Sequence, residues 1–334
     1  MGRLHLEWRV EKHRLAAPFR IAGYVFEDSD VVVAELVNGE HRGRGEAAGV
    51  YYLGDDAEHI IAQLESNRDA VEACESRIEL REILPAGGAR NAVDCAMWEL
   101  EAKQQETTVW RLAGLDRPKP LVTTFTLGAD TPQQMAQGAR DYVSAQAIKL
   151  KLTGNSDLDL ERVEAVREAR PDVWLGVDAN QGFQIGQLKT VVEALAQDRV
   201  SLVEQPLARG HEAELEGFKS PIPIAADESA LTLDDVAGLK GRFDVINIKL
   251  DKCGGLTEAL MIAEEARRLG LGVMVGNMVG TSLAMAPAFV LGQLCDFVDL
   301  DGPTFLEQDR TPSVIYGDGQ IWCPDEVWGS RASG

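Results

Sequence analysis

A chain of 334 residues is too long for one small core and suits a barrel-sized domain with a smaller companion. Hydrophobic residues at 45% and charged residues at 26% exclude a disordered or fibrous chain. The formal charge of −21 argues against nucleic acid and anionic membrane surfaces as partners, because both repel it.

The amino terminus has mixed charges and no apolar core of a signal peptide, and no apolar run approaches the roughly 18 residues of a membrane span. Cys74, Cys95, Cys253, Cys295 and Cys323 are scattered and form no CxxC pair, which reads as reduced thiols. A soluble, cytoplasmic protein is expected. Residues 31–36, flanked by Ser29-Asp30 and Asn38-Gly39, predict a strand. Residues 57–66 and 90–105 predict helices, the second with Ala92, Val93, Ala96, Met97 and Leu100 on one face. Strand followed by helices marks a small α+β domain over residues 1–117, closed by the Gly- and Pro-bearing stretch 114–120.

Beyond Pro120 short apolar runs alternate with longer helical stretches, at 147–152, 174–177, 202–203, 222–225, 245–248, 273–275 and 297–300. That rhythm implies βαβ units and a parallel sheet, and seven or eight units suit a closed barrel over residues 118–304. Residues 305–334 lose the rhythm and are expected to return to the first domain.

In a barrel the reactive groups follow the strands, on the face built by the βα loops. The polar residues there are Lys149 and Lys151, then Asp178, Glu204, Asp227 and Lys249, and last Asp299 and Asp301. Steps from Lys151 to Lys249 are 27, 26, 23 and 22 residues, one βα unit each. Any one charged strand end is ordinarily just solvated; five in register are not so simply explained. Asp178, Glu204 and Asp227 would converge on one mouth and repel one another unless a cation lies between them. Hard oxygen ligands suit Mg²⁺. Lys151 and Lys249 flank the acids and would face each other, so a proton could leave one face of a carbon and return to the other. Lys149, on the same strand face as Lys151, is an auxiliary whose charge would lower the pKa of Lys151.

Lys149-Leu-Lys151, Asp178-Ala-Asn180, Glu204-Gln-Pro206, Ala226-Asp-Glu-Ser229 and Asn247-Ile-Lys249 resemble the muconate lactonising subgroup of the enolase superfamily. Residues 89–103 and 110–114 are similar to the end of its capping domain. The resemblance implies a (β/α)7β modified TIM barrel with an α+β cap, Mg²⁺ on Asp178, Glu204 and Asp227, and Lys151 with Lys249 as the acid/base pair. The metal of such sites stabilises an ene-diolate. A His–Asp dyad, as in the mandelate racemase branch, has no counterpart, since the barrel holds only His211.

Asp299-Leu-Asp301 resembles the motif by which dipeptide epimerases hold the substrate's α-ammonium group. This implies a dipeptide substrate, with N-acyl amino acid racemisation or an o-succinylbenzoate synthase-type elimination as alternatives on the same scaffold. Thr126 and Met278, within 276–282, resemble substrate-lining positions. Specificity is expected from loops at 22–29 and 48–56. Phe26 stands where Ala-Glu-specific relatives carry an arginine, and Tyr51 and Tyr52 occupy the second loop. With Glu27, Asp28, Asp55 and Asp56 nearby, apolar, aromatic or cationic side chains are favoured. A homo-oligomer is compatible with all of this.

Overall fold

A computed structural model of the chain describes residues 4–21 and 24–329. Ala22 and Gly23 of the first expected loop, and the two ends, lie outside the described residues. His5–Ile21 and Tyr24–Asn38 form a long antiparallel hairpin, and His41–Ala47 adds a third strand. The predicted strand at 31–36 is the buried inner half of the second of these. Its alternation serves two cores: Val32, Ala34 and Leu36 face the cap interior, and Val33 joins the barrel cluster. His5–Ile21 was not foreseen from the sequence, because Glu7, Arg9, Glu11 and Lys12 interrupt its apolar pattern. It is a charged, half-exposed strand held by backbone pairing such as Trp8 with Ala34.

Three helices follow, Ala57–Ala73, Arg77–Ile83 and Gly88–Gln104. Asp56 caps the first by accepting from the His59 amide at 2.9 Å. The third is buried on nearly every side because it lies between the cap sheet and the barrel. Gly43 and Gly45 permit that contact: a Cβ there would meet the carbonyls of Ala96 at 1.9 Å and Ala92 at 2.1 Å.

The second unit is an eight-stranded sheet, parallel at every pairing, in the order of the chain. Its strands are Thr124–Leu127, Ala147–Lys151, Trp174–Asp178, Leu202–Glu204, Ile224–Ala226, Val245–Ile248, Gly272–Val275 and Phe297–Val298. Side chains complete the seam between the last and first strands: Thr124 donates to Asp299, and Asp301 accepts from the Thr126 amide at 2.6 Å. This is the expected (β/α)7β class with an α+β cap. One crossover differs. After Leu202–Glu204 the chain makes only a short 3₁₀ turn, Glu212–Leu215, because Pro206, Gly210, Gly217, Pro221 and Pro223 interrupt any longer helix.

The last segment divides its contacts. Ile315–Gly317 and Gln320–Trp322 form a small sheet with Leu121–Val122 at the start of the barrel. Arg310 instead reaches the cap, pairing with Glu11 at 2.6 Å and Glu46 at 2.9 Å.

Candidate active site

Lys151, Asp178 and Glu204 are each the last residue of their strand, and Asp227 and Lys249 follow theirs directly. A parallel sheet delivers all five to one mouth. The ladder places Lys151 opposite Asp178 and Asp178 opposite Glu204. Carboxylate oxygens of Asp178, Glu204 and Asp227 lie within 4.8 Å of one another, and all three residues are buried.

Such crowding needs positive charge. Lys151 donates to Asp178 and Lys249 to Asp227, each at 2.6 Å. Glu204 receives Lys149 at 3.3 Å and the Asn247 amide at 2.6 Å. Burial, then the charge of Asp178, pushes the Glu204 carboxyl up to about 7. Asp227 goes the other way: burial opposes its ionisation, but Lys249 and Lys252 together hold it well below the carboxylate range. Burial opposes the charge on Lys249, yet Asp227 and Glu204 prevail and raise its pKa. Glu228 is pushed up to about 8 by burial and by neighbouring Asp227.

The two lysines stand four strand steps apart in a sheet of eight, which is half the circumference. They approach the acid cluster from opposite walls. Both line a cavity of about 600 Å³ shared with Asp227, Asn180, Glu228 and the cap loops. Phe26, Tyr51, Tyr52 and Met278 line its outer part. The short turn Tyr51–Leu53 is anchored by Asp251, which accepts from the amides of Ala48 and Gly49 at 2.9 Å. The cap loop therefore hangs from a residue two positions past Lys249.

The structure places the remaining predicted site residues as follows. Lys149 is ion-paired with Asp299 and Glu204. Asp299 and Asp301 do not line the cavity: Asp299 takes Lys149 and Thr124, and Asp301 takes the Thr126 amide. The cause is proximity, since Thr124 and Thr126 on the first strand and Lys149 on the second lie within reach of these carboxylates. Thr126 lines a second, smaller cavity beside Arg20 and Thr304. His211 is exposed and bonded to Glu214, away from the site.

Residues 134–327 match the enolase C-terminal domain-like family, and residues 6–114 match the mandelate racemase/muconate lactonizing enzyme N-terminal domain. The chain belongs to this family. It is 41% identical to the L-Ala-D/L-Glu epimerase of Escherichia coli K12, over 92% of this chain and 96% of that one. It is 44% identical to an N-acetyl-D-glutamate racemase of a Pseudoalteromonas species, over 73% and 76%. Among solved structures, an Agrobacterium tumefaciens enolase family member with bound sodium and L-Ala-L-Glu superposes with a TM-score of 0.94. It is 38% identical and the match covers 98% of this chain and all of that one. A dipeptide epimerase of Methylococcus capsulatus, complexed with Mg and L-Arg-D-Lys, gives 0.89 at 28% identity, with 96% of both chains covered.

The Methylococcus capsulatus relative is complexed with Mg, and the donors at this mouth fit Mg²⁺. Three buried carboxylates converge, and two further acceptors on the cavity wall, Asn180 Oδ1 and Glu228 Oε2, are buried without a hydrogen-bond partner. Oxygen-only donors with room left for water or substrate suit a hard cation.

Some residues of the site escape sequence reading. Lys252 is wholly buried and donates to Asp227 Oδ1 and to the Asp227 carbonyl, both at 2.6 Å. Its signal was available, as one helical turn past Lys249 returns to the same side. Asn247 and Gln205 stand inside the motifs Asn247-Ile-Lys249 and Glu204-Gln-Pro206, but their contacts do not follow from spacing: Gln205 Oε1 accepts from the amides of Asp227 and Ser229.

Proposed function

We propose that this isomerase epimerises a dipeptide by moving the proton α to its terminal carboxylate, with Lys151 and Lys249 as the acid/base pair. One observation carries the reading: two buried lysines stand half a barrel apart, on opposite sides of one acid cluster and one cavity. A neutral lysine takes the proton from its face, and the opposite ammonium delivers one to the other. The configuration inverts. Asp178, Glu204 and Asp227 would hold Mg²⁺, which when bound supplies the charge that stabilises the substrate's developing oxyanion. The cap loops cover the mouth and limit the water that could protonate the carbanion unselectively.

Lys149 holds Asp299 and Glu204 in place and so keeps the cluster ordered. Asp299 and Asp301 share that one lysine as their nearby cation. Burial, then Asp299, pushes the Asp301 carboxyl up to about 7, and a second cation at this end would restore its charged form. The α-ammonium of a dipeptide is that cation in this proposal, with Thr126 beside it.

A second reading, racemisation of an N-acyl amino acid, is favoured by the closure of Asp299 and Asp301 from the cavity and by the N-acetyl-D-glutamate racemase relative. Incubation with Mg²⁺ in D₂O separates the two. α-Deuterium in L,L-dipeptides supports epimerisation, whereas exchange confined to N-acyl amino acids transfers the reading to racemisation. Asp301→Asn should raise the dipeptide KM about tenfold and leave N-acyl substrates unchanged. A cytoplasmic location belongs to the same proposal: all five cysteines are free, and no helix among the described residues is long and apolar enough to cross a membrane. So does a small molecule, rather than nucleic acid or a membrane, as partner.

A further inference from the structure

The outer half of the cavity differs in kind from the inner half. Its walls come from the hairpin around Tyr24–Ser29 and the turn Tyr51–Leu53, and they are aromatic. Phe26 and Tyr51 meet edge-on with centroids 5.1 Å apart, and Tyr51 meets Tyr52 at 5.2 Å and 89°. Tyr24 backs both, 4.7 Å from Tyr51 and 6.0 Å from Phe26. Met278 lines the same cavity. Edge-to-face rings leave faces and edges for one more ring to join. Tyr24, Val25 and Leu53, at the same rim, are 46%, 57% and 46% exposed, an apolar surface left uncovered.

Charge selects against one class of ligand. Among the described residues lining the cavity, the only cations are Lys12, Lys151 and Lys249. The last two belong to the acid cluster, and Lys12 is paired with Asp28 at 2.7 Å. Among the described residues, no arginine or histidine reaches the wall. Carboxylates do, including Glu27, Asp30 and Glu58. A carboxylate-bearing side chain would arrive without a partner and among like charges. An ammonium would find acids already engaged in part: Asp28 with Lys12, Asp55 with His59 and the Gly88 amide, and Asp56 with the His59 amide.

We infer that the residue undergoing inversion carries an aromatic or bulky apolar side chain, received by Phe26, Tyr51 and Met278. This rests on the lysine-pair reading above and narrows its substrate class. In it the chain departs from relatives named for glutamate substrates. Phe26 is the specificity-determining position, because it lies on the cavity wall and touches both Tyr24 and Tyr51.

The test is kcat/KM for α-proton exchange with Mg²⁺ across L-Ala-L-Phe, L-Ala-L-Tyr, L-Ala-L-Leu, L-Ala-L-Lys and L-Ala-L-Glu, with N-acetyl-phenylalanine and N-acetyl-glutamate alongside. The aromatic and leucyl dipeptides should exceed the glutamyl one by at least about 100-fold. Phe26→Arg should narrow that gap by about tenfold from both sides, raising Glu and lowering Phe. Equal or faster turnover of the glutamyl or lysyl dipeptide in the unaltered enzyme overturns the inference while leaving epimerisation intact. Exchange of N-acetyl-phenylalanine without any dipeptide keeps the side-chain assignment and removes the dipeptide. Faster exchange of N-acetyl-glutamate, or no exchange anywhere, removes it.

Discussion

The barrel mouth and the cap loops meet at one cavity but are built on opposite principles. At the mouth, Lys151, Asp178, Glu204, Asp227 and Lys249 sit at the ends of hydrogen-bonded strands, and each is buried and bonded to a partner of opposite charge or a neutral donor. Across the cavity, Phe26, Tyr51 and Tyr52 sit on a hairpin tip and a short turn, held by ring contacts and by Asp251. The first arrangement tolerates no displacement, because a moved charge is an unpaired buried charge. The second can exchange one apolar contact for another at modest cost. Reaction type is thereby separated from substrate choice.

The sharpest way to break this comparison is to remove one lysine. Lys151→Met and Lys249→Met should each lower epimerisation at least about 1000-fold, measured as conversion of one epimer to the other. Each variant should still exchange deuterium into a single epimer, and the two variants should choose opposite epimers. If both exchange the same one, the lysines do not face each other. Chelation by EDTA should abolish exchange and Mg²⁺ restore it, while the circular dichroism spectrum stays constant, because the lysines continue to neutralise the acids. Lys252→Met should leave Asp227 with Lys249 alone and cost about 3 kcal/mol in urea unfolding. Gly276→Ala would set a methyl 2.8 Å from Asn247 Oδ1 and 3.0 Å from Lys249 Cε. A drop in kcat of about tenfold, with KM little changed, is expected from the misplaced lysine. At the cap, Tyr51→Ala should do the reverse, raising KM several-fold while the single-turnover rate of bound substrate holds.

The barrel and its acid–lysine register were legible in the chain because a βα unit has a nearly constant length. Residues about 25 positions apart, each directly after an apolar run, must arrive at one end of a parallel sheet. The cap was legible where an apolar run or a helical period shows, as at Val31–Ala34 and in the helices Ala57–Ala73 and Gly88–Gln104; the charged strand His5–Ile21 depends on a partner that periodicity cannot see.

What the sequence alone determined is therefore the order and chemistry of the strand ends, since covalent spacing and strand direction suffice for both. Tertiary structure decided where each side chain spends its charge. Lys149 turns to Asp299, Asp301 turns to Thr126, and Lys252 closes on Asp227. These choices follow from distances across the seam and between neighbouring strands, and Coulomb energy in a buried site depends on those distances far more than on sequence separation.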